Sequence, residues 1–164
     1  MGLINGRNET TYAPKDELLV CEAVKLAVCM NILYNGGDPN TDIQIGKEIW
    51  YSTYMAYAAE HGITDGYLDD RAYEKITREE YVFIFSRALP DEAFPVIYRI
   101  PAGSIPDVPN CENNLENAIY KFYRAGITIG TDEKGTFNPN SNITRAEVAT
   151  ILVRMMDPSF RAKK

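Results

Sequence analysis

Two short strings of this sequence contain side chains that can bind ions or transfer protons. They are Thr77-Arg78-Glu79-Glu80 and Thr144-Arg145-Ala146-Glu147. In each string a threonine stands three residues before a glutamate, which is the pattern of a capping box at a helix start. The arginine then takes the first helical position, where its guanidinium can hold a carboxylate near the positive end of the helix dipole. We interpret the glutamates as caps rather than catalytic carboxylates. The arginines are either anion-binding residues or solvated helix-end residues.

Other residues give little support for catalysis. His61 is the single histidine and precedes a glycine that ends a predicted helix, so every Ser-His-Asp or Cys-His scheme would depend on it. Cys21 and Cys29 are separated by a helical rise of roughly 12 Å, which is too far for a disulfide. With Cys111 their spacing matches no zinc site. The sequence therefore predicts no enzyme activity, no metal and no cofactor. It also predicts that the cysteines are buried and serve as apolar side chains.

Composition narrows the range of partners. The chain has 164 residues, 45% hydrophobic and 24% charged, with a net charge of −6, and these values are ordinary for one globular domain. The basic residues are scattered, so nucleic acid is not expected as a partner, and no apolar run is long enough for membrane insertion. Residues 1–6 lack the features of a signal peptide. Either the protein is intracellular or the chain is cut from a longer secreted one, and the repeats below favour the second.

A glycine-bounded string occurs three times, at intervals of about 60 residues. The copies are Gly2-Leu3-Ile4-Asn5-Gly6, Gly62-Ile63-Thr64-Asp65-Gly66 and Gly126-Ile127-Thr128-Ile129-Gly130. Each is followed by a polar loop and then by an apolar stripe at i, i+3, i+4 and i+7, which predicts an amphipathic helix. We expect these helices near 23–31, 81–89 and 148–156, packed on one another. The stripes are Ala23, Leu26, Ala27, Met30; Tyr81, Ile84, Phe85, Ala88; and Val148, Ile151, Leu152, Met155.

The sequence also predicts how these helices begin and what lies between them. The first helix has Leu19 in the capping position, so Asp16 is the predicted substitute cap, which would start that helix one turn early. A second helix precedes the last two glycine strings and ends at its glycine. Residues 89–108 contain four prolines and are predicted to form an extended connector. The stripes of the preceding helices are Tyr51, Tyr54, Met55, Ala58 and Leu115, Ala118, Ile119, Phe122.

Together these strings resemble the S-layer homology family. Residues 105–108, 126–130, 137–139 and 143–147 read as one whole repeat, and the second copy has Trp50 twelve residues before Gly62, where the family usually has a tryptophan. The resemblance implies an all-α fold, with a pseudo-threefold arrangement of helix-loop-helix repeats around a central three-helix bundle. The expected division is a partial first repeat over 1–35, a second repeat over 36–90, and a connector with the third repeat over 91–164.

The resemblance also implies a function and a set of binding residues. Such modules sit on the bacterial cell surface and bind secondary cell-wall polymers non-covalently, often through pyruvylated sugars, in grooves between repeats. The family's binding residues correspond here to Arg78, Arg145 and Trp50, and more loosely to Asp42 and Asp107. Gly66 and Gly130 would let the ligand approach the backbone. Arginine matches the carboxylate of a pyruvyl ketal, and tryptophan offers a flat face to a sugar ring.

The sequence departs from the family pattern in two of its three copies. Val20 stands in the arginine position of the first copy, and Asn114 stands in the tryptophan position of the third. The first copy also has no leading helix of its own, so self-association through its uncovered apolar surface is a further option. Two functions therefore stay open: a cell-wall anchor, or a degenerate module that acts as a protein-interaction or spacer domain in a surface assembly.

Overall fold

The computed structural model describes residues 13–45, 49–110 and 113–163. Over these ranges the chain is helical, with only isolated β-bridges, which confirms the all-α prediction. None of the described helices is long and apolar enough to cross a membrane. The α-helices are α1 (Val20–Tyr34), α2 (Pro39–Asp42), α3 (Ser52–Glu60), α4 (Arg78–Ala88), α5 (Asn114–Arg124) and α6 (Arg145–Met156), and short 3-10 turns lie at Asp69–Arg71, Asp91–Ala93 and Pro158–Phe160.

Both predicted capping boxes are present. The Thr77 amide donates to Glu80 Oε2 at 2.9 Å, and the Glu80 amide donates to Thr77 Oγ1 at 3.3 Å. Thr144 and Glu147 repeat this exchange at the start of α6. Each box satisfies two amides that the first turn of a helix leaves without an intrahelical acceptor. The starts of α4 and α6 are therefore fixed by local sequence.

The start of α1 differs from its prediction. The helix begins at Val20 with Leu19 as its N-cap residue, and only the glutamate half of the box is made, from the Leu19 amide to Glu22 at 2.9 Å. Asp16 does not start the helix a turn early, because Glu17 and Leu19 form β-bridges with Thr144 and Lys75 of the other two repeats. The Asp16 carbonyl accepts the Arg145 amide at 2.9 Å. Tertiary hydrogen bonds thus override the local capping signal.

The segments that precede α1, α4 and α6 are joined in a closed cycle of backbone hydrogen bonds. The Leu18 amide donates to the Ile143 carbonyl, Ile143 donates to Ile76, and Ile76 donates back to Leu18, at 3.0, 3.2 and 3.0 Å. The first amide of each helix also donates to the loop before another of these helices, in the opposite cyclic order: Val20 to Glu74, Arg78 to Ser141 and Arg145 to Asp16. We call Leu18, Ile76 and Ile143 the backbone ring. All three side chains are buried, so the ring lies inside the core.

The helices pack in a regular order along the chain. α3 packs on α1 and α5 packs on α4, so each leading helix covers the capped helix of the preceding repeat. α1 also contacts α4, and α6 adds Val148, Ile151, Leu152 and Met155 to the same continuous core. The helices predicted from all five apolar stripes are confirmed. The arrangement of whole repeats about a threefold axis, and the division at residues 35 and 90, stay predictions.

Candidate functional site

Arg78 lies at the first position of α4, as predicted, but its side chain points into the protein and is 4% exposed. Nε donates to the Phe137 carbonyl at 2.7 Å, a second guanidinium nitrogen pairs with Glu147, and the guanidinium carbon lies 4.9 Å from the Phe137 ring centroid. These contacts join the second repeat to the third. The interpretation of Arg78 as a solvated helix-end residue is therefore wrong.

Arg145 occupies the same position in α6 and is also buried. Its amide is held by Asp16, and the next amide, that of Ala146, donates to the Pro14 carbonyl at 3.0 Å. The start of α6 is thus clamped to the segment before α1, as the start of α4 is clamped to the segment before α6. The solvated interpretation is wrong for Arg145 too, because the residue is only 5% exposed.

In the first copy, where Val20 replaces the arginine, Arg71 supplies the missing guanidinium. Its Nη1 lies 2.5 Å from Glu80, the counterpart of Glu147, and its Nε lies 2.7 Å from Glu74. Burial raises the pKa of Glu80, but the hydrogen bonds from Arg71 and from Thr77 outweigh it, so the pKa lies below its ordinary value. Sequence analysis missed Arg71, although an apolar residue in an arginine position was a signal to look for a substitute.

Asp107 holds the loop before α6 in place. One carboxylate oxygen accepts the Phe137 amide at 2.8 Å and the other accepts the Asn138 amide at 2.6 Å. Asn138 has a positive φ of 59°, a backbone conformation that asparagine tolerates better than most residues. Asp107 therefore accepts a hydrogen bond from the Phe137 amide, and Arg78 donates one to the Phe137 carbonyl. These two side chains hold the loop in one conformation without a ligand.

The two predicted site glycines are needed for different physical reasons. Gly130 has φ +92°, and a Cβ there would lie 2.6–2.8 Å from backbone atoms of Gly135 and Thr136. Gly66 has φ +78°, but the nearest atom to its Cβ would be a side-chain oxygen of Asp69 at 3.5 Å. Close approach at Gly130 thus comes from the protein's own backbone, and Gly66 is required mainly by its left-handed conformation.

Trp50 lies in a cluster of aromatic side chains beside α1. Its ring makes edge contacts with Tyr51 and Tyr54 at centroid distances of 5.7 and 6.4 Å, and Tyr51 makes an edge contact with Tyr73 at 5.3 Å. The ammonium of Lys25 lies 5.7 Å from the Trp50 and Tyr54 ring centroids. Trp50 is 37% exposed and Tyr73 is 64% exposed. We call Trp50, Tyr51, Tyr73 and Lys25 the aromatic platform.

Asp42 ends α2, the short helix that follows the glycine turn after α1. Its carboxylate accepts the Asp38 amide at 3.0 Å and the Thr41 hydroxyl at 3.1 Å, while Asp38 caps the helix by accepting the Asn40 amide at 3.0 Å. A Cβ on Gly37 would lie 2.3 Å from the Asp42 carboxylate. Asp42 therefore closes a local turn.

The predicted site residues fall into separate groups. Arg78, Asp107 and Gly130 surround the loop that carries Phe137, and Tyr123 reinforces it by donating to the Gly135 carbonyl at 2.9 Å. Trp50 lies in the aromatic platform, which combines Lys25 of α1 with residues just before α3 and in the loop before α4, and here sequence analysis missed Lys25 and Tyr73. Tyr51, adjacent to Trp50, was a visible signal that the aromatic surface is larger than one ring.

The contacts of His61 and the burial of Cys21 and Cys29 are those of residues with a structural role. The His61 ring stacks on Tyr57 at 3.7 Å, and its Nδ1 lies 2.9 Å from the Tyr57 carbonyl. Cys21 and Cys29 are buried as predicted, and burial raises the pKa of Cys21 to about 11, with a smaller contribution from the charge of Glu22. A neutral thiol of this kind is a poor nucleophile. Cys111 and the first glycine string lie outside the described residues.

Comparison with known proteins gives two matches. The model of the S-layer homology domain matches residues 41–82 and 104–149, which together make up more than half of the chain. An amylopullulanase of Thermoanaerobacterium thermosulfurigenes is 26% identical over 162 residues. That alignment covers 96% of this chain and 8% of the amylopullulanase, so the chain corresponds to a small part of that protein's length.

Proposed function

We propose that this chain, which belongs to the S-layer homology domain family, anchors a surface protein non-covalently to the bacterial cell wall. Domains of this family are binding modules known for cell-wall anchoring, and they are not catalytic. The ligand we propose is a secondary cell-wall polymer, a polysaccharide linked to peptidoglycan whose sugars carry pyruvyl ketals.

The observation that carries the proposal is the aromatic platform. Trp50 and Tyr73 expose flat apolar faces of the kind that pack on sugar rings, and the Lys25 ammonium lies 5.7 Å from the Trp50 ring centroid. The carboxylate of a pyruvyl group would meet the Lys25 ammonium, while the sugar ring lies on Trp50. The chain's net charge of −6 disfavours an anionic polymer overall, so a lysine beside an exposed tryptophan is a distinguishing feature.

The other predicted residues support the platform indirectly in this proposal. The guanidinium of Arg78 already pairs with Glu147, so a ligand carboxylate would have to compete with an internal one. We therefore propose that Arg78 and Arg145 hold the repeats in register, and that Asp107 and Gly130 fix the loop beside them. Asp42 shapes the turn near the start of the second repeat, and Gly66 shapes the loop between α3 and α4.

Sedimentation with purified cell walls, with and without the accessory polymer, tests the proposal. Trp50→Ala and Tyr73→Ala should each weaken binding about 10- to 30-fold, since exposed aromatic anchors dominate the binding free energy of such sites. Tyr34→Ala is the matched control, because Tyr34 is 50% exposed but lies at the far end of α1. Unchanged binding by both platform variants would contradict the proposal.

The ligand's charge is tested separately with Lys25→Gln. This variant should bind the pyruvylated polymer about 10-fold more weakly than the parent, and the two should bind a chemically depyruvylated polymer equally. If Lys25→Gln binds both polymers as the parent does, the ligand is not recognised through its carboxylate at this lysine.

One observation favours the second candidate, a protein-interaction or spacer module. The Arg78 guanidinium is paired with Glu147 within the protein, and valine stands in place of the arginine at position 20 of the first copy. Two of the family's three arginine positions therefore offer no unpaired guanidinium to a ligand. Sedimentation with walls that is independent of the polymer, or no sedimentation by a folded parent chain, would favour that function.

A further inference from the structure

A cavity of about 590 Å³ lies between the last turns of α1 and α6, beyond the end of α4. Most of its lining consists of aliphatic and thioether side chains, with Arg161 as its cation and the exposed Glu92 as its acid. The volume is within the range of sites that take small organic ligands, roughly 300–1,000 Å³. The apolar lining includes Met30, Leu33, Ile97, Met155 and Met156.

Arg161 is a buried cation without a counter-charge. It is 8% exposed, and no carboxylate lies within ion-pair distance of it in the part of the chain that the structure describes. Nη2 donates to the Ala93 carbonyl at 2.9 Å and Nε to the Arg154 carbonyl at 3.4 Å, whereas Nη1 has no acceptor among the described residues. Burial lowers the pKa of Arg161, in contrast to Arg71, whose pKa is raised chiefly by its hydrogen bond to Glu80. A desolvated cation of this kind is costly, so an anion that reaches it is bound favourably.

The backbone around Arg161 is held in place by the connector and the third repeat. The Ala162 amide donates to the Gly126 carbonyl at 2.9 Å, and the Tyr98 hydroxyl donates to the Ala162 carbonyl at 2.6 Å. The guanidinium is therefore positioned in the cavity wall before a ligand binds, which lowers the entropic cost of binding.

The other cavity walls favour a ligand with a single charge and few further polar groups. Pro95 and Pro158 have no amide hydrogen, and the Ala93 and Arg154 carbonyls already accept from Arg161. A peptide backbone placed here would leave its polar groups unpaired. The methionine side chains, by contrast, are flexible enough to pack along an unbranched hydrocarbon chain.

We propose that this cavity binds a medium-chain alkyl carboxylate, with the carboxylate on Arg161 and the hydrocarbon chain along Met30, Leu33 and Met155. The exposed Glu92 and the negative dipole ends of α1 and α6 disfavour a ligand with more than one negative charge. The cavity shares no residue with the aromatic platform, so this inference does not depend on the polymer-binding proposal.

Calorimetric titration of the whole chain with decanoate, below its micelle concentration, tests the proposal. Decanol has the same chain length without the charge, and acetate has the charge without the chain. Decanoate should bind at least about 10-fold more tightly than decanol, and acetate should not bind. In NMR spectra, decanoate should shift the methyl signals of Met30 and Met155 but not that of Met55, which lies in α3 outside the cavity. Equal affinities for decanoate and decanol, or methyl shifts confined to Met55, would overturn the proposal.

Point variants locate the carboxylate. Arg161→Gln should weaken decanoate binding about 10- to 30-fold and leave decanol binding unchanged. Ile97→Asp keeps Arg161 and changes a side chain that is 47% exposed at the cavity rim, so the variant should fold and should bind decanoate at least about 5-fold more weakly. Val96→Asp is the matched control, because its neighbouring side chain is 68% exposed but lies outside this cavity.

The Tm of each variant establishes that it is folded. Decanoate binding that survives both Arg161→Gln and Ile97→Asp would overturn the assignment of the carboxylate to Arg161. Shifts of the Met30 and Met155 methyl signals on concentrating the ligand-free chain would assign the cavity to a second copy of the chain, and would overturn the proposal as well.

Discussion

Arg78 is a buried arginine that bridges two repeats. It reaches across to Glu147 and to the Phe137 carbonyl, whereas Arg71 reaches Glu80 within the second repeat, where Val20 has removed the equivalent arginine of the first. The spacing of Thr, Arg and Glu was enough to predict the caps and the first helical position. It was not enough to predict the burial of Arg78, because its partners lie in another repeat and sequence spacing describes only the residue's own helix.

Replacing Arg78 by alanine is expected to lower the free energy of unfolding by about 2–4 kcal/mol. The variant leaves the Phe137 carbonyl without its donor and the half-buried Glu147 without its cation. Urea unfolding at pH 7 measures the change, and Arg99→Ala, at an exposed arginine of the connector, should change the free energy by less than about 0.5 kcal/mol. Equal effects of the two substitutions would mean that the buried pair adds nothing to stability.

The Glu80 carboxylate is expected to make stability depend on pH. Its pKa is lowered in the folded state, so the stabilisation is present above the unfolded pKa, near 4.3, and is lost as pH falls through the folded value. Glu80→Gln should therefore destabilise the protein by about 1–2 kcal/mol at pH 7, and this difference should shrink as the pH is lowered from 7 to about 4. Glu74→Gln is the control, because Glu74 shares Arg71 but is largely exposed. A constant difference between parent and Glu80→Gln at both pH values would contradict this mechanism.

At the scale of elements, the five long helices could be predicted because each has its own apolar stripe, and α3 and α5 are followed by a glycine with positive φ. The start of α1 could not, because Leu19 gives no side-chain cap and the chain before it is held by other repeats. α2 is a single turn in a polar stretch, which carries no periodic signal. The turns themselves differ in how tightly they are packed.

Alanine at the two predicted site glycines should separate close packing from backbone conformation. Gly130→Ala is expected to cost about 3 kcal/mol or more, because its Cβ would overlap the backbone of Gly135 and its φ is positive. Gly66→Ala has the conformational cost alone, about 1–2 kcal/mol. Thermal unfolding of both variants measures the difference. A larger cost at Gly66 would show that the turn at Gly130 relaxes to admit the methyl group.

At the scale of the whole molecule, the backbone ring joins all three repeats at one level of the core. The amides of Leu18, Ile76 and Ile143 are therefore expected to exchange with solvent only on global unfolding, with opening free energies that agree within about 1 kcal/mol. The Ser104 amide, which bonds to the Pro101 carbonyl in the exposed connector, should exchange by local opening. Faster exchange at Leu18 than at the other two would reveal that the first repeat opens separately.

The backbone ring also sets the order in which the chain can fold as it is made. The Leu18 amide bonds to the carbonyl of Ile143, and these two residues are far apart in the sequence. Contacts between residues so distant in sequence slow folding, because a large loop must close before any of them is gained. α3 and α4, which pack on α1, are made before Ile143, so the backbone ring closes only after these helices are available.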